Sequence, residues 1–536
     1  MNRPFLQSIL AASSLVVALA SAFPTQAQTR AETLRHVTGA AINTLDPTMP
    51  GSTREAFGLS LSTYDRLVSM GRKQIDGKWV FDLDSIRGEL AERFDVSADG
   101  KTITFFLRKD AKFHDGTPVT SEDVKWSLDR AVMAKSLAPA QMLTGSITSP
   151  DQFKIIDLHT VQMTLPNPDK LALPNLATIY PIIINAKLAK ANATAEDPWA
   201  QTWLKDNTAG SGAYTIETYK PGEQVILRRN DAWNRGREGQ AHFKRLITQT
   251  VPEAATRANL VERGDADIVI DLQASDAASL EGKGKLKVIS TPQYNAITFV
   301  SFNNQMPPFD NINVRRAIAF ALPYEDMFKA ALFSRGAPLY NGTWTEGPPS
   351  GRFPIAQPLK TDLAKAKQFM VDAGMPNGFS TALNFNVGQA GIAEPMAALI
   401  KESLAKIGIN VDIQKLPDAQ MSTLINEKKT PFFIEGIVAW LPSTDYFYRN
   451  FYTGNIRWNY SALNNPKLTE IAQAARFEPD AKKYEAYSKE LNALHFELMP
   501  QIPLWQPSQD AVMATGIEGY TYQFHRQIDF RDLSRK

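Results

Sequence analysis

The run Leu90-Ala91-Glu92-Arg93-Phe94, Asp99-Gly100-Lys101, Phe105-Phe106-Leu107-Arg108 and Phe113-His114-Asp115-Gly116-Thr117-Pro118-Val119-Thr120-Ser121-Glu122-Asp123-Val124 decides how the chain is read. Phe94 and Val96 alternate with polar neighbours, and Asp99-Gly100 tolerates the positive φ of a tight turn. Ile103, Phe105 and Leu107 then alternate again, which predicts a β-hairpin. Phe113 to Pro118 is a loop. It leads into Thr120-Ser121-Glu122-Asp123, where a hydroxyl ahead of acidic residues predicts a helix cap. Val124, Leu128, Ala131 and Val132 supply that helix with one apolar face.

Outward from this stretch, Tyr214 to Tyr219 and Gln224 to Arg229 read as a second hairpin around Lys220-Pro221-Gly222-Glu223. The later part of the chain changes grammar. Asp362 to Ala373 is predicted helical, with Leu363, Ala366, Met370 and Ala373 on one face and Gly374 at the cap, followed by alternating Leu383, Phe385 and Val387. Met396, Leu399, Ile400, Leu404 and Ile407 form another helical face that stops at Gly408, and Ile409, Val411 and Ile413 follow as a strand. Helix and strand in alternation with short links predict an α/β lobe, so two lobes of unlike construction are expected. Between Asn341 and Pro358 lies a Gly/Pro-rich loop holding Trp344 and Phe353. It exceeds the ~12–15 residues usual for a structureless connection, and such loops more often cover a site.

The chain has 536 residues, room for three or four domains of ~150 residues or for two large lobes. Its 43% hydrophobic and 21% charged residues fit a globular protein with large cores. A net charge of +2, with no Lys/Arg block, lacks the basic stripe that a phosphate-backbone binder needs, so no nucleic-acid partner is expected. The absence of cysteine removes disulfides, thiolate zinc sites, iron–sulfur clusters and cysteine nucleophiles together. Arg3, the apolar run Leu6 to Ala22 and the small residues closing at Thr25-Gln26-Ala27 read as a secretory signal peptide, residues 1–27, with Ala20-Ser21-Ala22 as an alternative cleavage site. The run is too short and too rich in Ala and Ser for the ~20 strongly apolar residues of a membrane span. A periplasmic location follows, and without cysteine there is no site for lipid attachment.

Catalytic readings are weak. His36, His114, His159, His242, His495 and His525 stand in no close ligand pattern, there is no Gly-x-Ser-x-Gly elbow, and Gly282-Lys283-Gly284-Lys285 lacks the Ser/Thr of a phosphate loop. A carboxylate pair could serve a secreted carbohydrate-active hydrolase, the alternative function, yet no pair identifies itself among 56 acids. Trp126 and Trp505 read as core. Trp440 follows an apolar run and precedes Leu441-Pro442-Ser443-Thr444-Asp445-Tyr446-Phe447. An aromatic at the end of a strand can wall a crevice or pack in a core, and the pattern leaves both open.

The stretch from Leu90 to Val124 resembles the signature of the family 5 extracellular solute-binding proteins of ABC importers, the group of dipeptide, oligopeptide and nickel-chelate binders. Further matches are Gly210-Ser211-Gly212-Ala213-Tyr214 with Arg229-Asn230, Gly264-Asp265-Ala266-Asp267-Ile268, Phe302-Asn303 with Pro307-Pro308-Phe309, and Val314-Arg315-Arg316-Ala317-Ile318. The resemblance continues through Ala364-Lys365-Ala366 to Ala373-Gly374 and Leu404 to Ile409. It implies an α/β, two-lobed Venus-flytrap fold with an enlarged first lobe. Lobe one would be 28–291 with an extra subdomain at roughly 62–185, lobe two 292–507, and 508–536 a return to lobe one. Hinge strands are then expected near Pro292 to Phe299 and Pro503 to Asp510.

It also implies a monomer that captures a peptide-like or other small polar solute by lobe closure and delivers it to membrane permease subunits, with no cofactor, no metal site and no chemistry of its own. In peptide-binding members a Trp and an Asp shortly after it hold the ligand, the Asp pairing with the peptide amino group. Trp440 matches the Trp. Three residues on, where several peptide binders carry the Asp, stands Ser443, and the nearest acid is Asp445. The ligand is therefore left open among a peptide, an opine-like compound, a saccharide and a metal chelate. Tyr294, Asn295, Trp344, and Asp46 to Met49 with Thr48 and Met49, fall near the implied cleft. His114-Asp115-Gly116 belongs to the fold signature and is expected to be structural. Pro323, where relatives often show Asp, is expected to affect local capping.

Overall fold

In the computed structural model, which describes residues 30–234, 240–348 and 350–536, the strands Ala91–Val96 and Thr102–Leu107 pair antiparallel, Phe94 opposite Phe105 and Val96 opposite Ile103. Gly100 turns the chain at φ 69°, and the Ser97 amide closes the loop on the Thr102 carbonyl at 2.9 Å. The expected leader, residues 1–27, lies outside the described residues. Thr160–Thr164 and Phe153–Asp157 extend this hairpin into a four-stranded antiparallel sheet. The helix Ser121–Met133 packs on it. Its start is held by the Asp123 carboxylate, which accepts from the Thr120 amide at 2.9 Å and the Thr120 hydroxyl at 2.7 Å. Val124, Leu128, Ala131 and Val132 enter the core beneath, each large side chain contributing about 1.5–3 kcal/mol by leaving water.

His114-Asp115-Gly116 is part of this frame. Asp115 accepts from the Thr117 amide and hydroxyl at 2.9 and 2.6 Å and from Asn185 Nδ2 at 2.9 Å, while His114 Nε2 lies 3.0 Å from the Gly212 carbonyl. The Gly210-Ser211-Gly212 stretch runs against the end of the helix Arg54–Thr63. A Cβ on Gly210 would sit 2.0 Å from the Thr63 carbonyl oxygen and one on Gly212 2.5 Å from that of Ser62, so only glycine allows this approach.

A 12-stranded sheet runs through the rest of the molecule. Its neighbours are, in order, Ile409–Leu416, Phe379–Asn386, Phe432–Val438, Ala296–Phe302, Gln501–Met513, Ile268–Val269, Thr33–Thr38, Arg245–Thr250, Gln224–Arg229 and Tyr214–Lys220, with Lys287–Pro292 and Gly336–Pro338 also on Gln501–Met513. The predicted helix–strand alternation is present as Leu363–Asp372, Phe379–Asn386, Ala390–Ala405 and Ile409–Leu416. The two strands are parallel, with Leu383 opposite Ile413. Gly374 and Gly408, at φ 74° and 83°, take the left-handed conformation just past the two helices. Pro323 is the N-cap of the helix Tyr324–Leu332 and offers no side-chain hydrogen bond there.

The long strand Gln501–Met513 lies in the middle of this sheet and joins its two halves. Its first half pairs with Ala296–Phe302, Val300 opposite Ile502, and its second half with Lys287–Pro292, Thr291 opposite Gln509. The chain therefore passes from one half of the sheet to the other at 293–295 and again around 506–508. Among the described residues no helix is long and apolar enough to cross a membrane. Trp505 is fully buried, and Trp126 is buried beside Trp199.

Candidate functional site

A cavity of about 980 Å³ lies where these crossings meet. One wall comes from the first half of the chain: Thr38, Arg54, Glu55, Gln141, Tyr180 and the loop Ile270 to Ala274. The facing wall comes from Thr298, Gln389, Glu435 to Val438, Trp440, Tyr446, Asn450 and the segment Arg457, Trp458 and Tyr460. Gln293, Pro507 to Asp510, Arg526 and Gln527 close the side where the chain crosses. The volume lies at the upper end of small-molecule sites, and the mix of aromatic and polar groups suits a solute with both kinds of surface.

Trp440 is delivered to this wall by the strand Phe432–Val438 and locked there from behind. The fully buried Asn295 donates from Nδ2 to the carbonyls of Ala439 at 2.6 Å and Phe524 at 2.9 Å and accepts from the Tyr522 hydroxyl at 2.6 Å. The Ala439 amide in turn donates to the Asn295 carbonyl at 2.8 Å. Trp440 is half-buried, edge-on to Phe57 at 5.7 Å and tilted against Tyr180 at 4.8 Å.

The other residues singled out from the sequence lie behind or away from the lining. Asp445 is fully buried. Its Oδ1 accepts from Ser443 Oγ and the Tyr484 hydroxyl, each at 2.9 Å, and lies 3.3 Å from Lys170 Nζ, while Oδ2 pairs with Arg449 Nη2 at 3.2 Å. Ser443 is the N-cap of the helix Thr444–Phe451. Thr48 is buried, donating to Asp46 Oδ1 at 2.8 Å and accepting from Arg130 Nη1 at 3.3 Å, and Asp46 forms an ion pair with Arg130. Met49 accepts from Ser52 Oγ at 2.8 Å through its carbonyl. Tyr294 packs against the same core cluster as Trp440. Trp344 donates from Nε1 to the Ala356 carbonyl at 3.2 Å and stands edge-on to Phe496. None of these side chains lines the cavity. The long loop around Trp344 covers an aromatic cluster instead: Phe353 is buried against Phe447, Tyr448, Tyr452 and His495.

Sequence reasoning missed the charged lining. Asp271 pairs with Arg257 at 3.0 Å, and Asp510 with Arg335 at 3.0 Å. Glu55 accepts from Thr38 Oγ1 at 3.3 Å, and Glu435 Oε1 from Gln389 Nε2 and the Gly436 amide, each at 2.9 Å. Burial raises the pKa of both Glu55 and Glu435. Arg54 and Glu55 open a helix as ordinary charged residues would, and Glu435 sits inside an apolar strand. That last position, an acid where the pattern asks for an apolar residue, is the one local signal that could have marked the site.

Over residues 85–459 the sequence matches the family of bacterial extracellular solute-binding proteins, family 5. The chain is 27% identical over 491 residues to the probable D,D-dipeptide-binding periplasmic protein of Escherichia coli K12, covering 89% of each chain. The agropinic-acid complex of a periplasmic binding protein from A. tumefacien R10 superposes with a TM-score of 0.73 at 25% identity, over 94% of this chain and 99% of that one. The periplasmic binding protein of Helicobacter pylori in complex with the peptide STSA superposes with a TM-score of 0.75 at 23% identity, over 94% and 98%. A match spanning well over half the chain, two half-sheets joined through Gln501–Met513 and a cavity between them lead to one assignment. The chain belongs to the family 5 bacterial extracellular solute-binding proteins and has their two-lobed α/β fold.

Proposed function

We propose that the chain is the solute-capturing component of an ABC importer, closing its lobes over a small polar or peptide-like molecule outside the cytoplasm and passing it to membrane permease subunits. The observation that carries this reading is the cavity walled from both halves of the sheet, with the chain crossings at its side. A solute draws two lobes together only if the closed form touches it on more sides than the open form does. On this reading lobe one is 28–291 with the tail from 508 and lobe two is 292–507. The hinge falls at 293–295 and 506–508, and residues 1–27 are removed on export. Trp440 is the ligand wall, held in place by Asn295 and backed by the segment from Ser443 to Asp445. The protein works as a monomer without cofactor and leaves its ligand unchanged. The alternative, a carbohydrate hydrolase, is disfavoured because the family matched is one of binding proteins.

Relatives and structural neighbours are named for a D,D-dipeptide, a peptide and agropinic acid, so the ligand panel follows that span. The test is a thermal-shift screen of the mature protein against di- and oligopeptides, opines, oligosaccharides and nickel chelates, with mass spectrometry of each mixture afterwards. A ligand at ~100 Kd stabilises by about 2.7 kcal/mol and raises Tm visibly. A shift with the ligand recovered intact supports the reading. A ligand recovered cleaved overturns it in favour of the hydrolase.

A further inference from the structure

The charges on the cavity wall do not balance one another, and the imbalance has a sign. Arg54, Arg457 and Arg526 all line the cavity, and among the described residues none of them forms a direct ion pair with a carboxylate, although Arg54 feels the charge of the neighbouring Glu55. Among the described residues Arg526 Nη1 reaches the Gln293 carboxamide oxygen, at 3.4 Å, and its buried Nε has no acceptor. Arg457 lies over the Trp458 ring, 4.6 Å from its centre. Arg54 is exposed and makes no hydrogen bond to a described residue. The helix that carries Arg54 packs directly on the segment that carries Arg526, since a Cβ on Gly58 would lie 2.9 Å from Gln527 Cβ.

The acids on the same wall are committed elsewhere. Asp271 and Asp510 are paired with Arg257 and Arg335, which stand outside the lining. Glu55 and Glu435 accept hydrogen bonds from their own neighbours, and burial shifts both toward their neutral forms. Asp445, five residues after Trp440, is turned away from the lining into Lys170 and Arg449. What the cavity offers a solute is therefore guanidinium groups not engaged in a direct ion pair among the described residues, on the same lining as the rings of Trp440 and Tyr180. Guanidinium in a partly dry site matches a carboxylate through two parallel charge-assisted hydrogen bonds, and that geometry discriminates against amides and amines.

We propose that the cavity selects an anionic solute, a small molecule whose carboxylate meets Arg54 and Arg526 while an apolar or aromatic body lies against Trp440 and Tyr180. This rests on the reading of the cavity as the solute site. The test is calorimetric titration of the mature protein with three probes that share one body: N-acetyl-phenylalanyl-alanine, which is anionic, phenylalanyl-alanine, which is zwitterionic, and phenylalanyl-alanine amide, which is cationic. The expected result is an affinity that falls in that order, by about tenfold or more from first to last, with the preference erased by Arg54→Gln combined with Arg526→Gln. Equal or tighter binding of the amide, a preference that survives the double substitution, or no binding of any probe at millimolar concentration would overturn the proposal. The same titrations on Trp440→Ala separate this failure from that of the underlying reading. If all three probes weaken but charge makes no difference, the cavity is the solute site and only the anion preference is wrong. If Trp440→Ala changes nothing for probes that bind, the solute sits elsewhere and both fall.

Discussion

The indole of Trp440 lies 4.8 Å from the phenol ring of Tyr180, centre to centre, with the ring planes tilted by 43°. Tyr180 belongs to the first half of the chain, whereas Trp440 follows a strand of the opposite half-sheet, so this contact spans the cavity from wall to wall. If Trp440 is the aromatic anchor of the solute, Trp440→Ala weakens binding by ~2 kcal/mol or more. The far-ultraviolet circular dichroism should stay unchanged. Titration with any ligand identified by thermal shift checks this, and an unaltered Kd removes Trp440 from the site.

Asn295 braces the same wall from behind, outside the cavity lining. Replacing it by alanine leaves two carbonyls and the Tyr522 hydroxyl without partners in a dry interior, since Asn295 is fully buried. Asn295→Ala is expected to cost roughly 3 kcal/mol of stability by urea unfolding. Affinity should fall as the Trp440 segment loosens, while the relative ranking of different ligands is retained. A change of ranking would place the carboxamide in direct contact with solute.

Asp445 gives a contrasting case. Its two oxygens serve Arg449, Lys170, Tyr484 and Ser443, so Asp445→Asn leaves cationic groups without their anion. The expected loss is ~3 kcal/mol of stability, the lower range for breaking a buried pair, because Lys170 is partly solvated. Cationic and neutral ligands should be affected alike. Selective loss of cationic ligands in the same titrations would instead put the carboxylate in the site.

Acid should unfold the protein through its buried histidines. His495, with Nδ1 2.8 Å from the Gln357 Nε2 donor and aromatic rings around it, is pushed by burial down to about 3, His525 likewise to about 3, and His36 to about 4. Each is neutral when folded, but takes a proton below about 6.5 when unfolded. Stability is therefore complete above that value and falls as the pH drops toward 4. Each histidine contributes a loss approaching 1.4 kcal/mol per pH unit. Urea unfolding at pH 7, 6 and 5 measures the slope, and His495→Gln should reduce it by roughly one proton's worth. An unchanged slope in that variant would mean that His495 takes up its proton as readily in the folded chain as in the unfolded one.

Much of the frame was legible because its signals are local. The Asp99-Gly100 turn, the Thr120 cap and the helix–strand alternation from 362 to 413 each depend on a few neighbouring residues and are found where their patterns point, except that the strand ends at Asn386 and Val387 stands exposed in the turn after it. Several signature residues turn out to hold backbone together. Arg315 is buried and donates to the carbonyls of Met499, Phe309, Asp310 and Leu498, and Asp267 accepts from the Arg35 amide and pairs with Arg535. The site was less legible. Trp440 showed itself through its place at the end of an apolar run, but Arg54, Glu55 and Arg526 look in sequence like ordinary surface charges. Thr48, Asn295 and Trp344 carry polar groups that the fold spends on neighbouring backbone and side chains rather than on the cavity.

By itself the sequence determined the element pattern and the family signature, since turns, caps and apolar periodicity are written in contiguous residues. Which charges remain unpaired was decided only by tertiary structure. Asp271 meets Arg257 within one stretch, but Asp510 finds Arg335 from far along the chain, and Arg54, although it feels the charge of Glu55 next to it, forms no direct ion pair among the described residues. Electrostatic pairing falls off over a few ångströms in a screened medium, so it depends on where folding puts the side chains and not on their order in the chain.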